Sequence, residues 1–261
     1  MHQTWLIAGP PGCGKTNWIR EKLLKHQGPC AFLRLDGWSH EGLEAGMNAG
    51  IDLTWLSDQC PQLIDLSPAS LQELPPSEDC LLLIEAQQFK PSNLSIAAEI
   101  DPRIHQQLQR FNLKPDKTLL FGREADLPQQ DTLDFTSLEA WDLKLDGCIW
   151  DPNSLSSFWF ELVNGAYGDV YRAKALINVP EGGSYFCNWM VSQKGSQFLP
   201  LEALESPSEK PNRTSHLVIQ GKSLNPIAMK ATINDCILGN DNLEPTQPLL
   251  TNQQLDLQPT R

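Results

Sequence analysis

Residues 4–16 read Thr4-Trp5-Leu6-Ile7-Ala8-Gly9-Pro10-Pro11-Gly12-Cys13-Gly14-Lys15-Thr16, and this stretch decides the fold. Its start, residues 4–8, is a short apolar run of the kind that forms a buried strand. Its last eight residues fit GxxxxGK(S/T) without exception. Residues 15–26 then place Trp18, Ile19, Leu23 and Leu24 on one face of a helix. Strand, glycine loop and helix together are the context in which this pattern cradles phosphate. Gly9, Gly12 and Gly14 let the backbone, Cys13 included, bring its amides close to phosphate oxygens. The helix N-terminus adds partial positive charge. Lys15 is expected to reach the β- and γ-phosphates, and the Thr16 hydroxyl to ligate a Mg²⁺ that arrives with bound GTP or ATP.

Outward from this loop, residues 30–35, 80–84 and 117–121 are further short apolar strands. Their near-continuous apolar character predicts a parallel sheet with helices on both faces, an α/β P-loop NTPase layer. A partner acid should stand at the end of a neighbouring strand. Glu85, directly after Leu81-Leu82-Leu83-Ile84, is that candidate, for Mg²⁺ through water or for orienting an attacking water. Asp36 ends another apolar strand and is a weaker candidate for the metal. Base recognition would follow the strand at 118–121, where Asp126 falls at the Asp position of an NKxD pattern if Arg123-Glu124 replace Asn-Lys. Residues 36–74 give mixed signals, with Gly37, Gly42, Gly46 and Gly50 recurring.

The pattern changes near residue 149. A capped helix is expected at 155–164, a hairpin from strands 170–179 and 184–192 around Pro180–Gly183, short strands at 198–201 and 215–220, and a closing helix at 226–238. This predicts a P-loop domain over 1–148, a small α+β domain over 149–238 and a disordered tail over 239–261. The chain has 261 residues, with 20 Lys and Arg against 32 Asp and Glu, a formal net charge of −12. Neither half carries a basic excess, so no nucleic-acid partner is expected. No apolar run approaches a bilayer span, so no membrane is expected either. Residues 1–14 do not read as a secretory signal, and seven scattered cysteines fit a reducing, cytoplasmic compartment.

With these pieces in order, the chain resembles the CobW-like family of P-loop GTPases. LLLIEAQQF (81–89) looks like the family's strand ending in Ile-Glu. VYRAKALINVP (170–180) looks like its RAKG strand, and SHLVIQGKSLNPIAMKATINDCI (215–237) is similar to its closing strand–helix unit. The resemblance implies a GTPase domain and a small C-terminal domain in a metal chaperone or insertase. The chain departs from the pattern at four places, the first being Leu35-Asp36-Gly37-Trp38 where the family has Asn-Glu-x-Gly after its second strand. The GCxCC metal motif is replaced by the single thiol Cys60, with Cys30, Cys80 and His40 in other segments. Ala86-Gln87-Gln88 stands where Thr-Ser-Gly follows the strand glutamate, and NKxD is altered as described. The expectation is a slow Mg²⁺-dependent GTPase or NTPase acting as a switch, with Lys15 and Glu85 as catalytic residues. The alternative is a non-hydrolysing nucleotide-binding or protein-interaction module, its protein partner held through the C-terminal domain.

Overall fold

The computed structural model describes residues 3–9, 12–35, 49–66, 79–88, 100–121, 139–180, 182–191, 195–201 and 215–239. The chain divides into two compact units, Met1–Thr136 and Ser137–Arg261.

In the first unit, β1 (Gln3–Gly9), β2 (Cys30–Arg34), β3 (Leu63–Leu66), β4 (Leu81–Gln87) and β5 (Lys117–Leu120) form a parallel sheet in the order β3-β2-β4-β1-β5. Its helices among the described residues are α1 (Lys15–Lys25), α2 (Ala49–Gln59) and α3 (Pro102–Arg110). Alternation along the strands splits the core into two layers. Leu6, Ala8, Ala31, Leu33, Leu82, Ile84 and Ala86 pack with Ile100, Ile104 and Leu108 of the α3 segment. Residues of opposite parity face α1, as Trp5 shows by its ring contact with Trp18 at 5.9 Å. Helix α2 lies against α1, where Arg20 donates to Gln59 and stacks over Trp55. Both faces are therefore covered, the condition that apolar parallel strands require. Two elements lie in the stretch of mixed signals, α2 and β3, and α3 was not expected at all.

This strand order positions the site. After β1 the chain runs to β2, beyond β4 on one side, and after β4 it runs to β5, on the other side of β1. The connections diverge between β1 and β4, so the carboxyl ends of these two strands flank the switch point where α/β sheets take ligands.

The second unit is an antiparallel sheet, order β6-β10-β7-β8-β9, from β6 (Glu139–Lys144), β7 (Asp169–Asn178), β8 (Ser184–Met190), β9 (Gln197–Pro200) and β10 (His216–Lys222). Helices α4 (Pro152–Val163) and α5 (Pro226–Cys236) supply Leu155, Phe158, Leu162, Met229 and Ile233 to a core shared with Trp150, Ala173, Ala175 and Ile219. Each helix begins at a side-chain cap followed by proline: Asp151 accepts from the Ser154 amide, and Asn225 from the Ala228 amide. This is the small α+β domain the sequence predicts. Its first strand starts earlier than the expected boundary at residue 148, because β6 pairs along β10 from His216↔Lys144 to Gly221↔Glu139. The closing helix ends at Cys236, and Ile237 instead bridges Trp150. Residues 240–261 of the expected tail lie outside the described residues.

Candidate functional site

Gly9 ends β1 because no side chain fits there. A Cβ would stand 2.7 Å from the Phe121 carbonyl oxygen, 2.9 Å from Phe121 Cβ and 3.0 Å from Cys13 Sγ. Gly14 caps α1 in the left-handed region, with φ 91°, a conformation that costs glycine nothing. Helix α1 then begins at Lys15, with the Trp18 amide donating to the Gly14 carbonyl. Pro10 and Pro11, inside the loop, lie outside the described residues.

The charged groups of the site come from four separate elements. Lys15 Nζ donates to the Gly9 carbonyl at 2.8 Å and lies 3.7 Å from Glu85 Oε1. Thr16 Oγ1 donates to Asp52 Oδ1 at 3.1 Å. Asp52, in the first turn of α2, pairs through Oδ2 with Arg34 Nη1 at 3.1 Å. Arg34 ends β2 and reaches Glu85 Oε2 at 3.9 Å. Lys15, Asp52 and Glu85 are respectively 4%, 2% and 3% exposed. Such charges persist in an interior when they are paired, and here two cations face two carboxylates.

The structure brings together the sequence-predicted Gly9, Cys13, Gly14, Lys15, Thr16 and Glu85, and it adds Arg34 and Asp52. Asp36, His40 and Asp126 lie outside the described residues. Each missed residue carried a signal. Arg34 interrupts an otherwise apolar strand, and Asp52 sits between Ile51 and Trp55 of a helical stripe. Gln88, where the resembled pattern has another residue, accepts from the Asp101 amide at 3.0 Å and so ties the end of β4 to the start of α3.

The donor set suits a hard cation carried in by a ligand. Thr16 and Asp52 offer oxygen, and Glu85 Oε2 is buried without a hydrogen bond among the described residues. No group of three or more His, Cys, Asp or Glu among the described residues is arranged to hold a metal on its own. The buried thiols Cys60 and Cys80 nevertheless lie near enough to Cys30 to act on its charge. Burial first, then the proximity of Cys60 and Cys80, pushes the Cys30 thiol up to about 11. Burial likewise raises Cys60 and Cys80.

A strand–loop–helix of this sequence, at the switch point of a parallel sheet flanked by helices, defines a P-loop NTPase fold with a separate C-terminal domain. No family model matches the chain, and no curated protein matches it in sequence. Among solved structures it is similar to the zinc-bound YjiA GTPase from E. coli, at 12% identity over 90% of this chain and 98% of that one, with a TM-score of 0.32. A zinc-bound triple mutant of that GTPase matches at 11% identity over 90% and 99%, with the same TM-score. At that score neither likeness carries an argument, and the fold rests on its own strand order and loop. No helix among the described residues is long and apolar enough to cross a membrane.

Proposed function

We propose that this chain is a cytoplasmic P-loop protein that binds a nucleoside triphosphate, GTP or ATP, with Mg²⁺, hydrolyses it slowly and uses the bound state as a switch related to those of metal chaperones. The observation that supports the reading best is the buried Lys15 ammonium. It is held between the Gly9 carbonyl and Glu85 at the carboxyl ends of β1 and β4. Lys15 would turn from these groups to the β- and γ-phosphates, while the amides at the start of α1 take the remaining phosphate oxygens. Thr16 and Asp52 would hold the Mg²⁺, Thr16 directly and Asp52 directly or through water. The ion, when bound, offsets negative charge on the β- and γ-phosphate oxygens.

Glu85 would accept a hydrogen bond from a water and align it for in-line attack. The water oxygen bonds to the γ-phosphorus as the bond to the β–γ bridging oxygen breaks; the electron pair stays on the diphosphate oxygen, and both of the water's protons leave on the phosphate product. Asp126 is the proposed base-reading residue, and the second unit is the proposed seat of a protein partner. One observation favours the alternative of binding without turnover. Glu85 lies against both Lys15 and Arg34, so its carboxylate has to leave ion pairs before it can orient water.

The test is equilibrium binding of fluorescent GTP and ATP analogues, followed by single-turnover hydrolysis. Lys15→Ala removes a charge-assisted contact of ~1.5–3 kcal/mol and should weaken binding by about tenfold or more. Equal affinity of variant and parent for every nucleotide refutes the reading.

A further inference from the structure

The site holds a second cation that a phosphate-binding loop does not call for. Arg34 is paired in register with Glu85 across β2 and β4. Its side chain is 7% exposed, with Nη1 3.1 Å from Asp52 Oδ2 and 3.9 Å from Glu85 Oε2. Asp52 in turn holds the hydroxyl of Thr16, the loop's metal-ligating residue. Two carboxylates at the back of such a site would repel a polyanionic ligand, and a divalent ion is the usual remedy. Here the Arg34 guanidinium already sits on them.

We propose that Arg34 is a resident counter-cation that competes with Mg²⁺ for Asp52 and Glu85. This chain then takes up nucleotide with little dependence on Mg²⁺ and admits the ion as the guanidinium gives up Asp52. The inference rests on the nucleotide reading above and assigns Arg34 a positioning role, because it acts through the two carboxylates.

The physical case follows from what each cation demands. Mg²⁺ dehydrates reluctantly and needs carboxylate oxygens, or waters hydrogen-bonded to them, in near-octahedral array. A guanidinium on Asp52 Oδ2 occupies one of those acceptors through a charge-assisted hydrogen bond. Without Arg34 both carboxylates would be exposed to the incoming phosphates. Nucleotide would bind worse in the absence of Mg²⁺, and Mg²⁺ would bind better in its presence. A merely structural arginine would move both affinities in the same direction.

The experiment uses the full chain and fluorescent GTP and ATP analogues, titrated in Mg²⁺ and in EDTA. For the parent, the ratio of Kd in EDTA to Kd in Mg²⁺ is expected to stay below about tenfold. Arg34→Gln should raise that ratio by about tenfold or more and lower the Mg²⁺ concentration for half-saturation, while Arg34→Lys, which keeps the charge, should stay near the parent. A parent ratio above about tenfold overturns the inference, as does an Arg34→Gln ratio equal to the parent's. If Arg34→Gln does not fold, the parent's own ratio decides: below about tenfold it supports the inference, and above that it overturns it. Absence of binding in both buffers refutes the nucleotide reading itself, and the inference with it. Binding that is present but strictly dependent on Mg²⁺ refutes the inference alone.

Discussion

Truncating Asp52 to alanine should destabilise the first unit far more than a change at an ordinary helix start would. The carboxylate is buried, accepts from Thr16 Oγ1 at 3.1 Å and pairs with Arg34 at 3.1 Å. Its removal leaves the Arg34 guanidinium buried, with the Glu85 oxygen more distant at 3.9 Å. Breaking a buried pair by deleting one partner costs ~3–5 kcal/mol, mostly through the stranded charge. The lost hydroxyl bond adds ~0.5–1.5 kcal/mol. Solvent entering the space vacated near the loop works the other way, so ~3–5 kcal/mol is the expected net cost.

In a unit ending at Thr136, each kcal/mol shifts the melting temperature by ~4 °C, so the transition should fall by about 12–20 °C. Asp52→Asn keeps an acceptor for Thr16 while losing the charge, and should fall between parent and alanine variant. Replacing both partners, Arg34→Met with Asp52→Leu, should recover most of the loss, because the burial cost of both charges disappears together. Circular dichroism melts with matched urea titrations measure all four proteins. An alanine variant within ~0.5 kcal/mol of the parent, the range of ordinary surface changes, would refute the paired, buried arrangement.

Gly9→Ala should weaken nucleotide binding and lower stability together, since its Cβ would meet backbone at 2.7 Å; nucleotide titration and melting both read it, and a neutral result would contradict the close approach of β1 to Phe121. Cys13 and Cys148 are both partly exposed, and a saturating nucleotide should slow maleimide alkylation of Cys13 by about tenfold or more while leaving Cys148 unchanged; mass spectrometry measures the two rates, and equal slowing or none would count against the loop as the binding site. Stability should fall as pH rises from 9.0 toward about 11 through Cys30: below this window the thiol is protonated in both states, and within it the unfolded chain alone ionises. Cys30→Ala should therefore show a shallower loss of melting temperature between about pH 8 and pH 10.5, and parallel slopes would argue against a burial-raised thiol at this position.

The strands that could be read were those whose local composition matches their surroundings in the fold. β1, β2, β4 and β5 are central or apolar enough to stand out, and the helix behind the glycine loop is tied to them by motif. The elements that could not be read are marginal by composition. β3 is four residues long and carries Asp65, and among the described residues it ends the sheet and pairs with β2 alone. β6 alternates Ala140 and Asp142 with Trp141 and Leu143, and it borrows its pairing from β10, more than seventy residues later. No local pattern assigns such a strand to one unit or the other, which is why the boundary expected at residue 148 falls behind it. In α3, by contrast, the information was present: Asp101 caps it, proline follows, and Ile104 and Leu108 are four apart. In α2, the helical spacing of Ile51, Trp55 and Leu56 was masked by the glycines that precede it.

The site divides along the same line. Lys15, Thr16 and the loop glycines are bound to one another by adjacency, so a motif finds them, and Glu85 follows from the apolar run before it. Arg34 and Asp52 have no such anchor, being 18 residues apart, with Asp52 36 residues from Thr16. In sequence each could be a solvated charge. Their surroundings argue otherwise, since Arg34 continues Cys30-Ala31-Phe32-Leu33 and Asp52 follows Ile51. A charge embedded in an apolar strand or stripe has either to point outward or to find a partner, because burying it alone costs several kcal/mol. Composition thus shows that a partner is owed without showing which one. The parallel register of β2 against β4, which sets Arg34 opposite Glu85, and the placement of α2 beside α1 supply the answer. The charge balance of this site is therefore a tertiary property, and substitutions at Arg34 and Asp52 probe the fold and the ligand chemistry together.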